Sequence, residues 1–286
     1  MGNASYSYSN HVSNRSAMGY QTKSTQEIFT SHNLNSSMNP FGVGIREARD
    51  SEAHPNSLAI ILALDVTGSM GSVPHYLVKD ADGIPKIMNN IIKGGIDDPQ
   101  MLFLGIGDHN YDSAPLQVGQ FESSGELLDK WLTDIFLEGG GGGNDGESYL
   151  LAWYFAGYHT SIDCFEKRGQ KGILITIGDE PQLPNISGHF LKKIMGNGQY
   201  ENFTAQQLLD KAMEKYNVYH INVKATSAGS RQRTMDGWRQ LLSDNLCIAE
   251  HREDIPNIII DIITNSIKKE ETTQTTNTHN NVGMML

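Results

Sequence analysis

The chain has 286 residues, 38% of them hydrophobic, and a formal net charge of −11. That is enough apolar material for one sizeable core with extensions. An acidic chain with no long Lys/Arg run excludes the non-specific nucleic-acid binding that depends on a basic surface, and no apolar run approaches a membrane span.

The N-terminus, MGNASYSYSNHVSNRS, lacks the apolar segment of a secretory signal, and Tyr6 stands where a myristoylation signal carries Ser or Thr. The two cysteines, Cys164 and Cys247, supply neither a disulfide framework nor a C-x-x-C metal spacing, which points to a reducing cytoplasm. Residues 1–56 are rich in Ser and Asn, show no sustained period, and read as an extended or partly ordered polar arm, whose mixed-charge last part, FGVGIREARDSEAHP, is suited to packing on the domain. Residues 57–267 read as one domain without internal repeats, and residues 268–286 as a polar tail.

Strand and helix signals alternate through that domain. The apolar run 58–64 predicts a buried parallel strand ending in Asp65, with a helix to follow. Ile84, Ile87, Met88, Ile91 and Ile92 recur at helical spacing, with Pro85 tolerable near the helix start. MLFLGIG at 101–107 predicts a second buried strand, and LQVGQF at 116–121 a short one suited to an antiparallel edge. A helix is expected over 124–137, started by Ser124 and ended by the glycine run; another starts near Glu147. GILITIG at 172–178 predicts a strand, 203–216 a helix capped by Thr204, and NVYHINV at 217–223 a strand. Trp238, Leu241 and Leu242 mark a helix, NLCIA at 245–249 a last short strand, and 254–267 a final helix with Pro256 near its start. This alternation implies an α/β fold, Rossmann-like, with a mostly parallel central sheet, helices on both faces and one antiparallel edge strand.

The chemistry concentrates where the first strand ends. Asp65, Thr67 and Ser69 in LDVTGSMG can turn one carboxylate and two hydroxyls toward one point, a donor set suited to a hard divalent cation such as Mg²⁺. Ligands of open α/β sheets bind at the carboxyl ends of the strands, which is where this motif falls. Ser69 also reads as the cap of the following helix.

The D-x-T-x-S pattern resembles the metal-ion-dependent adhesion site of von Willebrand factor A domains, whose usual form is D-x-S-x-S; Thr67 keeps the hydroxyl. The order of elements over about 57–267 is similar to that family's. The resemblance implies two further loops at the site. Gly141-Gly142-Gly143-Asn144-Asp145-Gly146-Glu147 resembles the G-G-G-D-x-x-E pattern of the alpha-kinase-associated branch, with Asn144 in the Asp position and Asp145 as the alternative ligand. Asp179, in GDEPQ after the 172–178 strand, resembles the acid that closes the metal site. Asp108 and His109 resemble an Asp-His pair of the same branch, with Asp108 a candidate to accept a hydrogen bond from Ser69 or a bound water.

The implied ligand set is therefore Asp65, Thr67, Ser69, Asn144 and Asp179, holding Mg²⁺, with Mn²⁺ or Ca²⁺ as alternatives. The implied function is non-enzymatic. A partner protein's Asp or Glu completes the coordination, in the cytoplasm, the partner being an AAA+ ATPase or a multi-protein assembly by analogy with cytoplasmic relatives. Because the motif is expected on surface loops, Asp65→Ala should abolish Mg²⁺-dependent binding and leave the fold intact. Enzyme readings fit less well. The G-x-x-x-x-G over 141–146 has Glu147 where a phosphate-binding Lys belongs, and Thr67 removes both a nucleophile elbow and the second Asp of a haloacid-dehalogenase-like phosphatase. A Mg²⁺-dependent hydrolase using Asp65 is the strongest enzyme alternative, and a metal-free assembly scaffold is the third possibility.

Overall fold

The computed structural model describes residues 6–79, 81–139, 146–196 and 198–282, with side chains as far as residue 269. In chain order the elements are α1 (Tyr8–Met18), α2 (Thr25–Ile28), β1 (Arg46–Ala48), β2 (Ser57–Asp65), α3 (Ser72–Lys79), α4 (Ile84–Lys93), β3 (Asp98–Ile106) and β4 (Leu116–Val118). There follow α5 (Gly125–Thr133), α6 (Leu150–Tyr158), β5 (Thr160–Ile162), α7 (Asp163–Glu166), β6 (Gly172–Gly178), β7 (Asn185–Ile186) and α8 (Gly188–Met195). The chain closes with β8 (Phe203–Thr204), α9 (Ala205–Met213), β9 (Tyr216–Val223), α10 (Gln232–Leu242), β10 (Leu246–Ala249) and α11 (Ile255–Val282).

The main sheet has the order β10-β9-β6-β2-β3-β4, all neighbours parallel except the β3–β4 edge pair. Every residue of β2, β3 and β6 is buried, as strands covered on both faces must be. Helices α6 and α9 pack on each other and reach β3 and β9, while α4 and α11 form a second pair that reaches the same strands. The sheet therefore lies between two helical layers, and the α/β fold class expected from the sequence is the one observed. The apolar spacing read for α4 is its core face: Ile84, Ile87, Met88 and Ile91 are all fully buried. Burial of each such side chain contributes roughly 1.5–3 kcal/mol.

Where elements differ from expectation, a side chain or the backbone redirects the chain. The helix expected over 124–137 ends at Thr133. Gln117 clamps the backbone of Phe136, donating to its carbonyl and accepting from its N–H, each at 2.8 Å. The helix expected near Glu147 starts at Leu150, because the backbone of Glu147 is bonded to residues 181–183 instead. Helix α11 continues beyond 267 to Val282; residues 268–282 contain no Gly or Pro to stop it. The Thr204 cap is present as a capping box with Gln207. Thr204→Ala should cost about 1 kcal/mol of unfolding free energy in a urea melt.

The segment before residue 57, expected as an extended or partly ordered arm with only its last part suited to packing on the domain, is folded onto the domain from α1 onward. One face of α1 carries His11 and Arg15, one turn apart and buried, against Asp129 of α5. His11 Nε2 lies 2.9 Å from Asp129 Oδ1, Arg15 Nε donates to Asp129 Oδ2 at 2.9 Å, and Arg15 Nη1 donates to the Leu77 carbonyl of α3 at 3.0 Å. The Tyr6 hydroxyl bonds His11 Nδ1 (3.0 Å) and the Pro85 carbonyl of α4 (3.3 Å). Burial alone would raise the Asp129 carboxyl, but the hydrogen bonds from His11 and Arg15 outweigh it and hold it below the usual range. Further along, β1 pairs in parallel with β5, and Arg49 Nη1 donates to Asp163 Oδ1 at 2.8 Å.

Candidate metal centre

Strands β2 and β6 are neighbours with Leu64 opposite Ile177, so Asp65 and Asp179 leave adjacent strands at the same carboxyl edge of the sheet. Asp65 is fully buried. Its Oδ1 accepts from the Thr67 N–H (2.9 Å) and the Thr67 hydroxyl (2.6 Å), and its Oδ2 accepts from the Tyr149 hydroxyl (2.8 Å). Ser69 is exposed and donates to Asp179 Oδ1 at 3.2 Å. Asp179 is also fully buried, and its Oδ2 has no hydrogen-bond partner.

Four of the residues singled out from the sequence, Asp65, Thr67, Ser69 and Asp179, thus lie at one rim of the sheet in two hydrogen-bonded pairs, Thr67 on Asp65 and Ser69 on Asp179. Asn144, and Asp145 with it, lie outside the described residues. Two details of the expected arrangement are corrected. Asp65 is not on a surface loop but in the sheet's last buried layer, held by three hydrogen bonds, so its truncation to Ala would strand buried donors. Ser69 does not cap a helix; α3 begins at Ser72, and the Ser69 hydroxyl is turned to Asp179 instead.

The backbone after the glycine run is clamped between two rim segments. Glu147 N–H donates to the Pro181 carbonyl (2.9 Å), Leu183 N–H to the Glu147 carbonyl (3.0 Å), and Ser148 N–H to the Gly107 carbonyl (3.3 Å). The Ser148 hydroxyl accepts from the His109 N–H (2.9 Å) and lies 2.7 Å from His109 Nδ1. Asp108 does not take the Ser69 hydroxyl: its Oδ1 accepts from the N–H and the side-chain amide of Asn110, and its Oδ2 is buried without a partner.

The electrostatics are those of crowded acids. Burial pushes the Asp65 carboxyl up to about 7, and the charge of Asp179 adds to it against the opposing hydrogen bonds from Thr67. Burial also pushes Glu147 up to about 10, with the charges of Asp65, Asp112, Asp108 and Glu180 adding to it, and Glu147 Oε2 has no hydrogen-bond partner. Buried carboxylate oxygens without donors are costly unless a proton or a cation meets them. Both hydroxyl protons at the rim are given to carboxylates, which leaves the lone pairs of Thr67 and Ser69 for an electrophile. Among the described residues no group of three or more His, Cys, Asp or Glu side chains is placed to hold a metal ion; the donor set here has two carboxylates, and hydroxyls supply the remainder.

Two residues of this rim were not singled out as ligands or supports. Tyr149 has no motif to announce it; its one sequence correlate is Gly178, where a Cβ would stand 1.8 Å from the Tyr149 hydroxyl. Glu147 ends the glycine-loop pattern in the sequence, and its burial follows only from the clamp on its backbone. Beside Ser69 a cleft of about 360 Å³ opens, lined by Ser69, Ser72, Thr226, His251, Arg252 and Glu253 among others. Among the described residues no helix is long and apolar enough to cross a membrane.

No known family's sequence model matches the chain. No curated protein matches it at a significant level. Solved structures do. The pilus adhesin SpaC from Lactobacillus rhamnosus GG, in its open conformation, is similar over 79% of this chain and 31% of its own, with 10% identity and a TM-score of 0.48. Proximal thread matrix protein 1 from the mussel byssus is similar over 73% of this chain and 48% of its own, with 9% identity and a TM-score of 0.41. The conserved hypothetical protein BatB from Bacteroides thetaiotaomicron is similar over 74% of this chain and 99% of its own, with 15% identity and a TM-score of 0.42. The chain thus spans under a third of the adhesin and about half of the thread protein. These are likenesses of backbone course, and the chemistry of the rim is read from its own side chains.

Proposed function

We propose that the chain is a protein-binding module of the von Willebrand A type whose rim holds a divalent cation, Mg²⁺ or else Mn²⁺ or Ca²⁺. Thr67, Ser69 and Asp179 would hold it together with Asp65 and, from the glycine loop, Asn144. The observation that carries this reading is the buried Asp179 Oδ2, which has no donor, at the edge of the sheet where the Ser69 hydroxyl has committed its proton to Asp179 and the Thr67 hydroxyl its proton to Asp65. That donor set fits a hard cation and suits no neutral ligand equally well. When bound, the cation would supply a Lewis-acid position that a partner's Asp or Glu carboxylate can fill.

The chain's own residues support the binding role. Among the described members of the set Ser69 is the exposed one, so the partner approaches from its side, where the adjoining cleft can take the rest of the partner's segment. The partner is a protein presenting an acid, an AAA+ ATPase or a larger assembly by analogy alone. The setting is the cytoplasm, in keeping with free Cys164 and Cys247. A phosphoryl-transfer role for Asp65 is disfavoured, because Oδ1 already accepts two hydrogen bonds and Oδ2 one in a fully buried position, which leaves a lone pair of Oδ2 for a small cation but no approach for a phosphoryl group.

A pull-down from the source cell, with and without EDTA, tests the reading. Asp65→Asn and Asp179→Asn replace Asp65→Ala because they keep the shape of the buried groups. The expected result is a partner captured by the wild type in Mg²⁺ and lost in EDTA and in both variants. Capture that survives EDTA and both substitutions would overturn the proposal in favour of a metal-free scaffold.

A further inference from the structure

The two oxygens of Asp65 are divided between two tasks. Oδ1 takes the N–H and hydroxyl of Thr67, and Oδ2 takes the hydroxyl of Tyr149 at 2.8 Å. A carboxylate held at one end only can rotate about its last bond, and the Thr67 proton would then lose its fixed acceptor. We infer that Tyr149 is a positioning residue for the cation site: its hydroxyl locks the Asp65 carboxylate in the orientation that takes the Thr67 proton. The inference deepens the metal-site reading above and rests on it.

Tyr149 is itself fixed from three directions. It stands at the N-cap of α6, directly after the clamped segment 146–148. Its ring is fully buried, edge-on to His220 (centroids 5.2 Å apart) and to Trp238 (5.3 Å). Its hydroxyl occupies the space left by the missing side chain of Gly178, the residue before Asp179. The cage is anchored in turn. His220 stacks on Trp238 at 3.5 Å and meets the Thr176 hydroxyl through Nδ1 at 2.9 Å, and Trp238 Nε1 donates to the Glu180 carbonyl at 3.1 Å. One aromatic cluster therefore references both sides of the rim: Asp65 through the Tyr149 hydroxyl, and the backbone beside Asp179 through Trp238. A tyrosine present only to fill the core would need neither the hydroxyl nor the void at Gly178.

Mg²⁺ titration by calorimetry, repeated with Mn²⁺ by the loss of the free-ion electron paramagnetic resonance signal, separates the roles. Tyr149→Phe removes one oxygen and keeps the ring. It should weaken cation affinity about tenfold or more, the usual scale for a group that orients a ligand. Gly178→Ala keeps the tyrosine but displaces its hydroxyl, and should weaken affinity likewise. Trp153→Phe disturbs the same cluster, 6.2 Å from Trp238 between ring centroids, without touching Asp65, and should leave affinity within twofold. Wild-type affinity in a folded Tyr149→Phe protein would overturn the inference, as would an equal loss in Trp153→Phe, which would mean general loosening. If the wild type takes up neither ion, every trace is flat, and it is the metal reading that has failed, carrying the inference with it.

Discussion

In EDTA, the thermal midpoint of this protein should fall as the pH is raised from roughly 5 to 8. The sign follows from the two crowded acids. Asp65 is raised from 3.8 to about 7 in the folded state and Glu147 from 4.5 to about 10, burial being the largest cause of each. Between the unfolded and folded values the native state holds a proton that the unfolded chain has released, so each step up in pH favours unfolding. The loss begins just above pH 4, runs to about 7 for Asp65 and continues beyond it for Glu147. Each group contributes at most roughly 1.4 kcal/mol per pH unit while it is titrating in this sense. Glu147→Gln, which removes one of the two acids, should raise the midpoint at the alkaline end and flatten the profile. A cation bound only by the native state opposes the loss, so the shift produced by saturating Mg²⁺ should grow with pH. Differential scanning fluorimetry across that range, with and without Mg²⁺, reads all of this. A midpoint in EDTA that is flat or rises with pH would contradict the crowding of the rim.

Asp129→Ala should destabilise the fold by about 3–5 kcal/mol, the scale for removing one member of a buried ion pair. Arg15 is 3% exposed and its guanidinium is bonded to Asp129 at both Nε and Nη2, with Nη1 on the Leu77 carbonyl. Removing the carboxylate takes from Arg15 its bonds at Nε and Nη2, and from His11 the oxygen that its Nε2 meets. A urea melt followed by circular dichroism measures the loss. Replacing His11, Arg15 and Asp129 together by apolar residues of similar volume should recover most of it, since a buried pair is costly to break but not costly to replace. A single Asp129→Ala melt within 1 kcal/mol of wild type, about the scale of an ordinary surface change, would mean that α1 is not docked as described.

That network explains which parts of the fold were readable from the sequence. The strands β2, β3 and β6 are apolar runs buried on both faces, β9 is a short mixed run whose buried positions include Val218, Ile221 and Val223, and α4 is an apolar stripe at helical spacing; such signals survive without any knowledge of the partner surface. Helix α1 has no apolar stripe. It docks through a His and an Arg whose partner lies 114 residues beyond Arg15, and no local pattern encodes a contact at that separation. The short strand β1 and helix α8 were missed for a related reason, being short or mixed in composition. At the rim, the residues joined by chain-local geometry, Asp65 and Thr67, and the acid at the end of a clear strand, Asp179, could be named in advance. Tyr149 and the burial of Glu147 could not, because both depend on where the segment after the glycine run is pinned against residues 107–109 and 181–183.

The void at Gly178 carries an evolutionary consequence. A Cβ there would collide with the Tyr149 hydroxyl and ring carbons, which stand 1.8–2.7 Å away. Positions 149 and 178 should therefore change together across any set of homologues: glycine retained wherever the tyrosine persists, and a bulkier residue at the strand end only where the aromatic partner has shrunk. Lineages that have exchanged both would mark the descendants in which Asp65 answers to a different anchor.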